Sequence, residues 1–168
     1  MKKEIINKVS RIPIHNIDIS SFIPKKRRVV FDIKQWLKND LILIEKEFRN
    51  KIKEFNWDIY SDKLVSIQCS NDAIIPDWAF ILVSSKLKEH KVTNFIGSLE
   101  SMEEYLIYNS ISKHDFSAYE NKTIIIQGCS NEFIPKSCYS LLIEKLQPIV
   151  KKILFGEACS SVPIYKKK

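Results

Sequence analysis

One stretch of this chain occurs twice, and that repetition constrains the fold more than any other feature. The segment Lys63-Leu64-Val65-Ser66-Ile67-Gln68-Cys69-Ser70-Asn71 has a counterpart in Lys122-Thr123-Ile124-Ile125-Ile126-Gln127-Gly128-Cys129-Ser130-Asn131. Tyr60 and Tyr119, Lys63 and Lys122, Ile67 and Ile126, Gln68 and Gln127, and Pro76 and Pro135 are each 59 residues apart. Gly97 and Gly156, which end the apolar runs Phe95-Ile96 and Leu154-Phe155, keep the same interval. A register held over some forty residues reads as internal duplication, with repeats over about 57–97 and 116–156.

Each copy reads as strand, loop, helix, strand. The runs 64–68 and 123–127 are rich in β-branched residues and bounded by turn formers, as buried strands are. A proline suits the first position of a helix, where its missing N–H costs nothing, so helices are expected over 76–90 and 135–147, the second stopped by Pro148. Short strands follow at 92–96 and 152–155. Ser98 or Ser101 can cap a further helix running to about 111, and upstream 29–33 reads as a strand and 44–55 as a helix. Alternating strands and helices predict an α/β fold: one mainly parallel sheet with right-handed crossovers and helices packed on it. Residues 1–24 read as an irregular arm on a single domain spanning 25–168.

Length and composition agree with a globular body. A chain of 168 residues with 45% apolar content buries a core without staples. No apolar stretch approaches the ~18 residues of a membrane span, and the N-terminus lacks the apolar core of an export signal. The expectation is a soluble cytoplasmic protein, whose four cysteines are reduced thiols. The net charge of +7 invites a polyanion reading, but only four of the 27 cations are arginine. Ile, Lys and Asn together supply 60 residues and Ala four, the bias of an AT-rich coding sequence. The dense basic runs, Lys25-Lys26-Arg27-Arg28 and Lys166-Lys167-Lys168, lack the interleaved aromatics of a stacking platform, which argues against nucleic acid.

Chemistry is expected beyond the carboxyl ends of the strands, where open parallel sheets bind ligands. Both duplicated strands run into Cys-Ser-Asn, and a third Cys-Ser, Cys159-Ser160, follows the run 152–155. Three parallel neighbours ~4.8 Å apart would bring Cys69, Cys129 and Cys159 to one rim, a three-thiolate site for zinc or an iron–sulfur cluster. The opposing interpretation is a set of small buried hydrophobes, since no CxxC spacing is present. Cys138, opposite Ala79 in the other copy, reads as a core residue. Without a metal, Ser70, Asn71, Ser130, Asn131 and Ser160 would meet an anion near helix N-termini, whose field would also activate the thiols as nucleophiles or sulfur carriers. None of His15, His90 and His114 is spaced with a cysteine or carboxylate so as to announce a dyad, and each reads as a surface residue. Asp58, Asp62, Asp72 and Asp77 read as turn and cap groups, and Trp36, Trp57 and Trp78 as core anchors.

Arg28-Val29-Val30-Phe31-Asp32-Ile33-Lys34-Gln35-Trp36-Leu37, the Cys-Ser…Ile-Pro units and the block Phe155-Gly156-Glu157-Ala158-Cys159-Ser160-Ser161-Val162-Pro163 together resemble DUF2480, an uncharacterised family of Bacteroidota. The resemblance spans nearly the whole chain and implies no catalytic residue. It implies an association, through neighbouring genes, with the iron–sulfur assembly system, and so with assembly proteins as partners. Cys69, Cys129 and Cys159 match family positions. Three functions stay open at this point: a non-enzymatic accessory factor of iron–sulfur or sulfur metabolism, a thiol-dependent enzyme, and an interaction module with inert cysteines. Oligomeric state is not readable from the sequence.

Overall fold

The computed structural model describes residues 14–128, 133–157 and 160–168. The chain divides into two compact units, one continuous (Lys25–Glu103) and one assembled from the two chain ends (Met1–Pro24 with Glu104–Lys168). Each unit is a mixed α/β assembly, and each is described separately.

The continuous unit holds β2 (Arg27–Asp32), α1 (Glu45–Glu54), β3 (Lys63–Gln68), α2 (Asp77–Glu89) and β4 (Thr93–Ile96), with β1 (Ile14–Asp18) preceding it in the chain. Its sheet has the order β2-β3-β4, all parallel, with Arg27 opposite Lys63 and Asp32 opposite Gln68. β3 is buried along its middle, which is why its sequence is apolar rather than alternating. Its core is aromatic: Phe31, Trp36, Phe48 and Trp57 pack with Val65, Ile67, Val83 and Leu87. The Trp57 indole N–H donates to the Ile52 carbonyl at 3.0 Å, so burial leaves no orphaned donor.

The split unit holds β1, the latter part of α3 (Leu99–Lys113), β5 (Thr123–Gln127), α4 (Lys136–Leu146), β6 (Lys152–Glu157) and β7 (Ser160–Lys166). Its sheet has the order β1-β5-β6-β7, parallel except for the β6–β7 pair. Its core is mostly aliphatic: Ile17, Ile19, Ile124, Ile126, Leu142, Leu146 and Ile153, with Phe116 and Cys138 among them.

Helices α1 to α4 and strands β2 to β6 lie within a few residues of the expected positions. Three expectations change. The described strands form two sheets rather than one, so β3 shares no sheet with β5 and β6. Part of the expected irregular arm is β1, paired with β5 from Ile14–Thr123 to Asp18–Gln127, because Ile17 and Ile19 need burial and β5 has a free edge. Pro76 and Pro135 occupy the N-cap rather than the first helical turn, with extended ψ near 143° and 137°, a conformation that their ring-fixed φ permits. Their carbonyls accept from Ala79 and Cys138 N–H, opening each helix without a side-chain cap.

The first strands of the two sheets end alike. β1 and β2 each finish in Asp, and Asp18 and Asp32 each cap a short 3-10 turn by accepting from the N–H two residues on. In register, Asp18 faces Gln127 and Asp32 faces Gln68.

Candidate thiol rim at the strand ends

The carboxyl ends of β2 and β3 carry the best-defined polar constellation in the continuous unit. Asp32 leaves the end of β2, and its Oδ1 accepts from the Lys34 N–H at 3.0 Å and from the Ser70 N–H at 3.1 Å. Burial alone would push this carboxyl up, but the Ser70 hydroxyl, the two backbone N–H groups and the Lys34 charge outweigh it and hold the carboxyl below its ordinary range. The amide expected to meet an external anion at Ser70 is therefore taken by a carboxylate of the chain itself.

The neighbouring residues close the arrangement. The Cys69 thiol donates to Asn71 Oδ1 at 2.8 Å, and the Asn71 amide donates to the Asp40 carbonyl. Lys34 lies 3.6 Å from the Asp40 carboxylate, joining this arm to Asp32. Asn39 and Asp40 both adopt the left-handed conformation, with φ of 50° and 61°, which Asn and Asp tolerate best among side chains other than glycine. Cys69 is half-buried against the aromatic core and Ser70 is exposed. Sequence reading found Cys69, Ser70 and Asn71 but missed Asp32, Lys34 and Asp40. The available signal was the recurrence of apolar-Asp-Ile at Ile17-Asp18-Ile19 and Phe31-Asp32-Ile33.

In the split unit, β5 and β6 are adjacent and parallel, and their ends are joined by a hydrogen bond from Gln127 Nε2 to Glu157 Oε2 at 3.2 Å. Cys129 follows Gln127 by two positions and Cys159 follows Glu157 by two. Cys129, Ser130, Asn131 and Cys159 themselves lie outside the described residues. Ser160 opens β7, exposed and opposite Glu157. An apolar pocket of about 280 Å³, lined by Ile126, Tyr139, Ile143, Phe155 and Ile164, adjoins these strands. Cys138 is fully buried in the core, and burial raises its thiol pKa despite an opposing hydrogen bond from Ser137.

Among the described residues no group of three or more His, Cys, Asp or Glu could hold a metal ion. Cys69 has an amide rather than a second ligand beside it, so the described residues do not fit a closed zinc or cluster site. The histidines are engaged elsewhere: His90 Nδ1 lies 2.8 Å from Asp58 in the continuous unit. His15 meets the Tyr119 ring and His114 packs edge-on against Phe22 and Phe116 in the split unit. Among the described residues no helix is long and apolar enough to cross a membrane.

No curated protein matches the chain, and no solved structure does either. A family pattern does match, over residues 3–167, and the chain belongs to that family, described as Protein of unknown function (DUF2480).

Proposed function

We propose that this protein is a non-enzymatic accessory factor of iron–sulfur or sulfur metabolism that acts through cysteines placed just beyond parallel strands. Sulfur, iron or a cluster would be its cargo rather than a resident cofactor. The observation that carries the reading is the tie between Gln127 and Glu157, which joins the ends of two adjacent parallel strands. From those two ends the chain continues into Cys129 and Cys159. Strand neighbours lie ~4.8 Å apart, a span that one metal or one persulfide relay crosses. Cys69 then belongs to a separate, single-thiol rim.

The same reading takes the two units as copies of one strand–helix–strand element. It is supported by Asp62 and Asn121, and by Gly97 and Gly156, which share positive φ at 59-residue spacing. Proline caps at Pro76 and Pro135 add to it.

Protein purified without oxygen and incubated with ferrous iron and sulfide should retain iron and acid-labile sulfide. The triple variant Cys69→Ser, Cys129→Ser, Cys159→Ser should lose both. Equal content in the two proteins, or none in either, overturns the proposal. A second reading, a thiol enzyme or sulfur carrier using Cys69 alone, draws on the half-exposed position of Cys69 just beyond β3, although its donation to Asn71 Oδ1 favours the protonated thiol. Native-state alkylation followed by peptide mapping separates the two: a working Cys69 reacts at a pH well below the ~8.5 of a free thiol. Cys138, buried and shifted upward, should react only on unfolding.

A further inference from the structure

At the opposite end of the split sheet, three separate chain segments bring lysines to one rim. Lys152 on β6 stands directly opposite Lys166 on β7. Lys167 N–H donates to the Lys151 carbonyl at 2.9 Å, and the N–H groups of Lys151 and Lys152 donate to the Lys122 carbonyl at 2.9 and 3.3 Å. Lys168 follows next in sequence. Like charges directly opposite on a ladder destabilise it, so the arrangement calls for a counter-charge. Among the described residues none of these lysines joins an ion pair, and Glu120, close in sequence, pairs with none of them.

The matching rim of the continuous unit is built differently. There Lys26 meets Asp62 at 3.6 Å, Arg28 meets Glu103 through two hydrogen bonds, and Lys63 donates to the Ile59 carbonyl. Asp62 is replaced at the corresponding split-unit position by the neutral Asn121. The continuous rim supplies carboxylate partners to Lys26 and Arg28, although Arg27 and Lys63 also stand opposite one another there, whereas the split rim supplies none among the described residues.

We propose that the lysine rim of the split unit is a docking surface for an Asp/Glu-rich segment of a protein partner. Carboxylates are favoured over phosphates on three grounds. Among the described residues the rim contains no arginine, whose planar fork matches phosphate. Helix N-termini, the other phosphate-binding device, lie at the far end of the strands. The aromatics beside the rim, Tyr119 and Tyr165, pack on the core and offer no stacking platform. The proposal does not depend on the cysteines.

Fluorescence anisotropy with a labelled poly-glutamate peptide tests it on the full chain, beside a polyglutamine peptide and a single-stranded oligonucleotide of equal charge. Replacing Lys151, Lys152, Lys166 and Lys167 with Gln should weaken poly-glutamate binding by about tenfold or more, and raising salt from about 0.05 to 0.2 M should weaken it further. A control replacing Lys25, Lys46, Lys53 and Lys88 with Gln, equal in net charge, should bind as the parent does. Circular dichroism checks both folds, and Lys152→Gln alone should raise the melting temperature by relieving the Lys152–Lys166 pair. Equal weakening in the control, tighter binding of the oligonucleotide than of the peptide, or no binding of poly-glutamate overturns the proposal.

Discussion

The two units run the same strand–helix–strand path but are filled with different side chains. In the continuous unit Phe31 sits among rings, 4.9 Å from Trp36 edge-on and 5.4 Å from Trp57 stacked, with Phe55 and Tyr60 at 6.1 Å. In the split unit the core is mostly isoleucine and leucine, with Phe116, 59 residues after Trp57, as its buried aromatic. Where Ile125 is buried in β5, β3 carries Ser66, fully buried, its hydroxyl donating to the Gly97 carbonyl. The spacing of apolar positions therefore sets the scaffold, and many fillings of suitable volume satisfy it. What the filling changes is directionality. Aromatic rings prefer offset or edge-on contacts, so the continuous unit has fewer ways to repack.

That contrast is sharpest under truncation. Phe31→Ala should cost about 3–5 kcal/mol in denaturant unfolding, because the ring is fully buried and its neighbours are too rigid to collapse. Leu142→Ala, equally buried in the aliphatic core, should fall toward the lower part of a ~2–5 kcal/mol range. If Leu142→Ala proved the costlier change, rigidity of the rings would not be what distinguishes the cores.

The strand-ending glycines test the likeness instead. Gly97 and Gly156 have φ of 144° and 115°, so alanine at either should cost about 1–3 kcal/mol. Gly156→Ala should be the more severe. A Cβ there meets the Ser160 carbonyl oxygen at 3.0 Å, a backbone atom, whereas at Gly97 it meets the Phe95 ring, which can turn aside. Calorimetric melting of both variants decides the order.

The smallest effect is the pH response of the Asp32 rim. Its carboxyl is held below the ordinary value of 3.8, so its stabilisation is complete above that value and fades as pH falls through the folded-state value. Asp32→Asn should be less stable than the parent at neutral pH, with the gap narrowing as pH drops below about 4. A gap that stays constant with pH would remove the charged carboxylate from the account of the rim.

Much of this architecture is visible in particular residues. Leu64–Val65 and Thr123-Ile124-Ile125-Ile126 announce buried strands because both their faces need apolar side chains. Pro76, Pro135 and Pro148 punctuate the helices by removing donors. β1 escapes notice because only Ile17 and Ile19 of its stretch are deeply buried, while His15, Asn16 and Asp18 resemble a loop. β7 escapes because Pro163 argues against a strand interior but is tolerated at a sheet edge, where β7 lies. At the candidate site, Cys69, Ser70 and Asn71 stand out as a contiguous motif. Asp32 and Asp40 reach the same loop from more than thirty residues earlier, a distance over which no local pattern reports.

Periodicity and breakers depend only on neighbours along the chain, so they determined which segments became strands and helices and in what order. Which strand lies beside which was decided by tertiary structure alone. Pairing energy belongs to the two partners jointly, and β5 was free to accept β1 from over a hundred residues away while β3 took β2. That choice divided the strands between two sheets, set Cys69 on a different rim from the ends of β5 and β6, and left one basic edge with carboxylate partners at Lys26 and Arg28 and the other with none among the described residues.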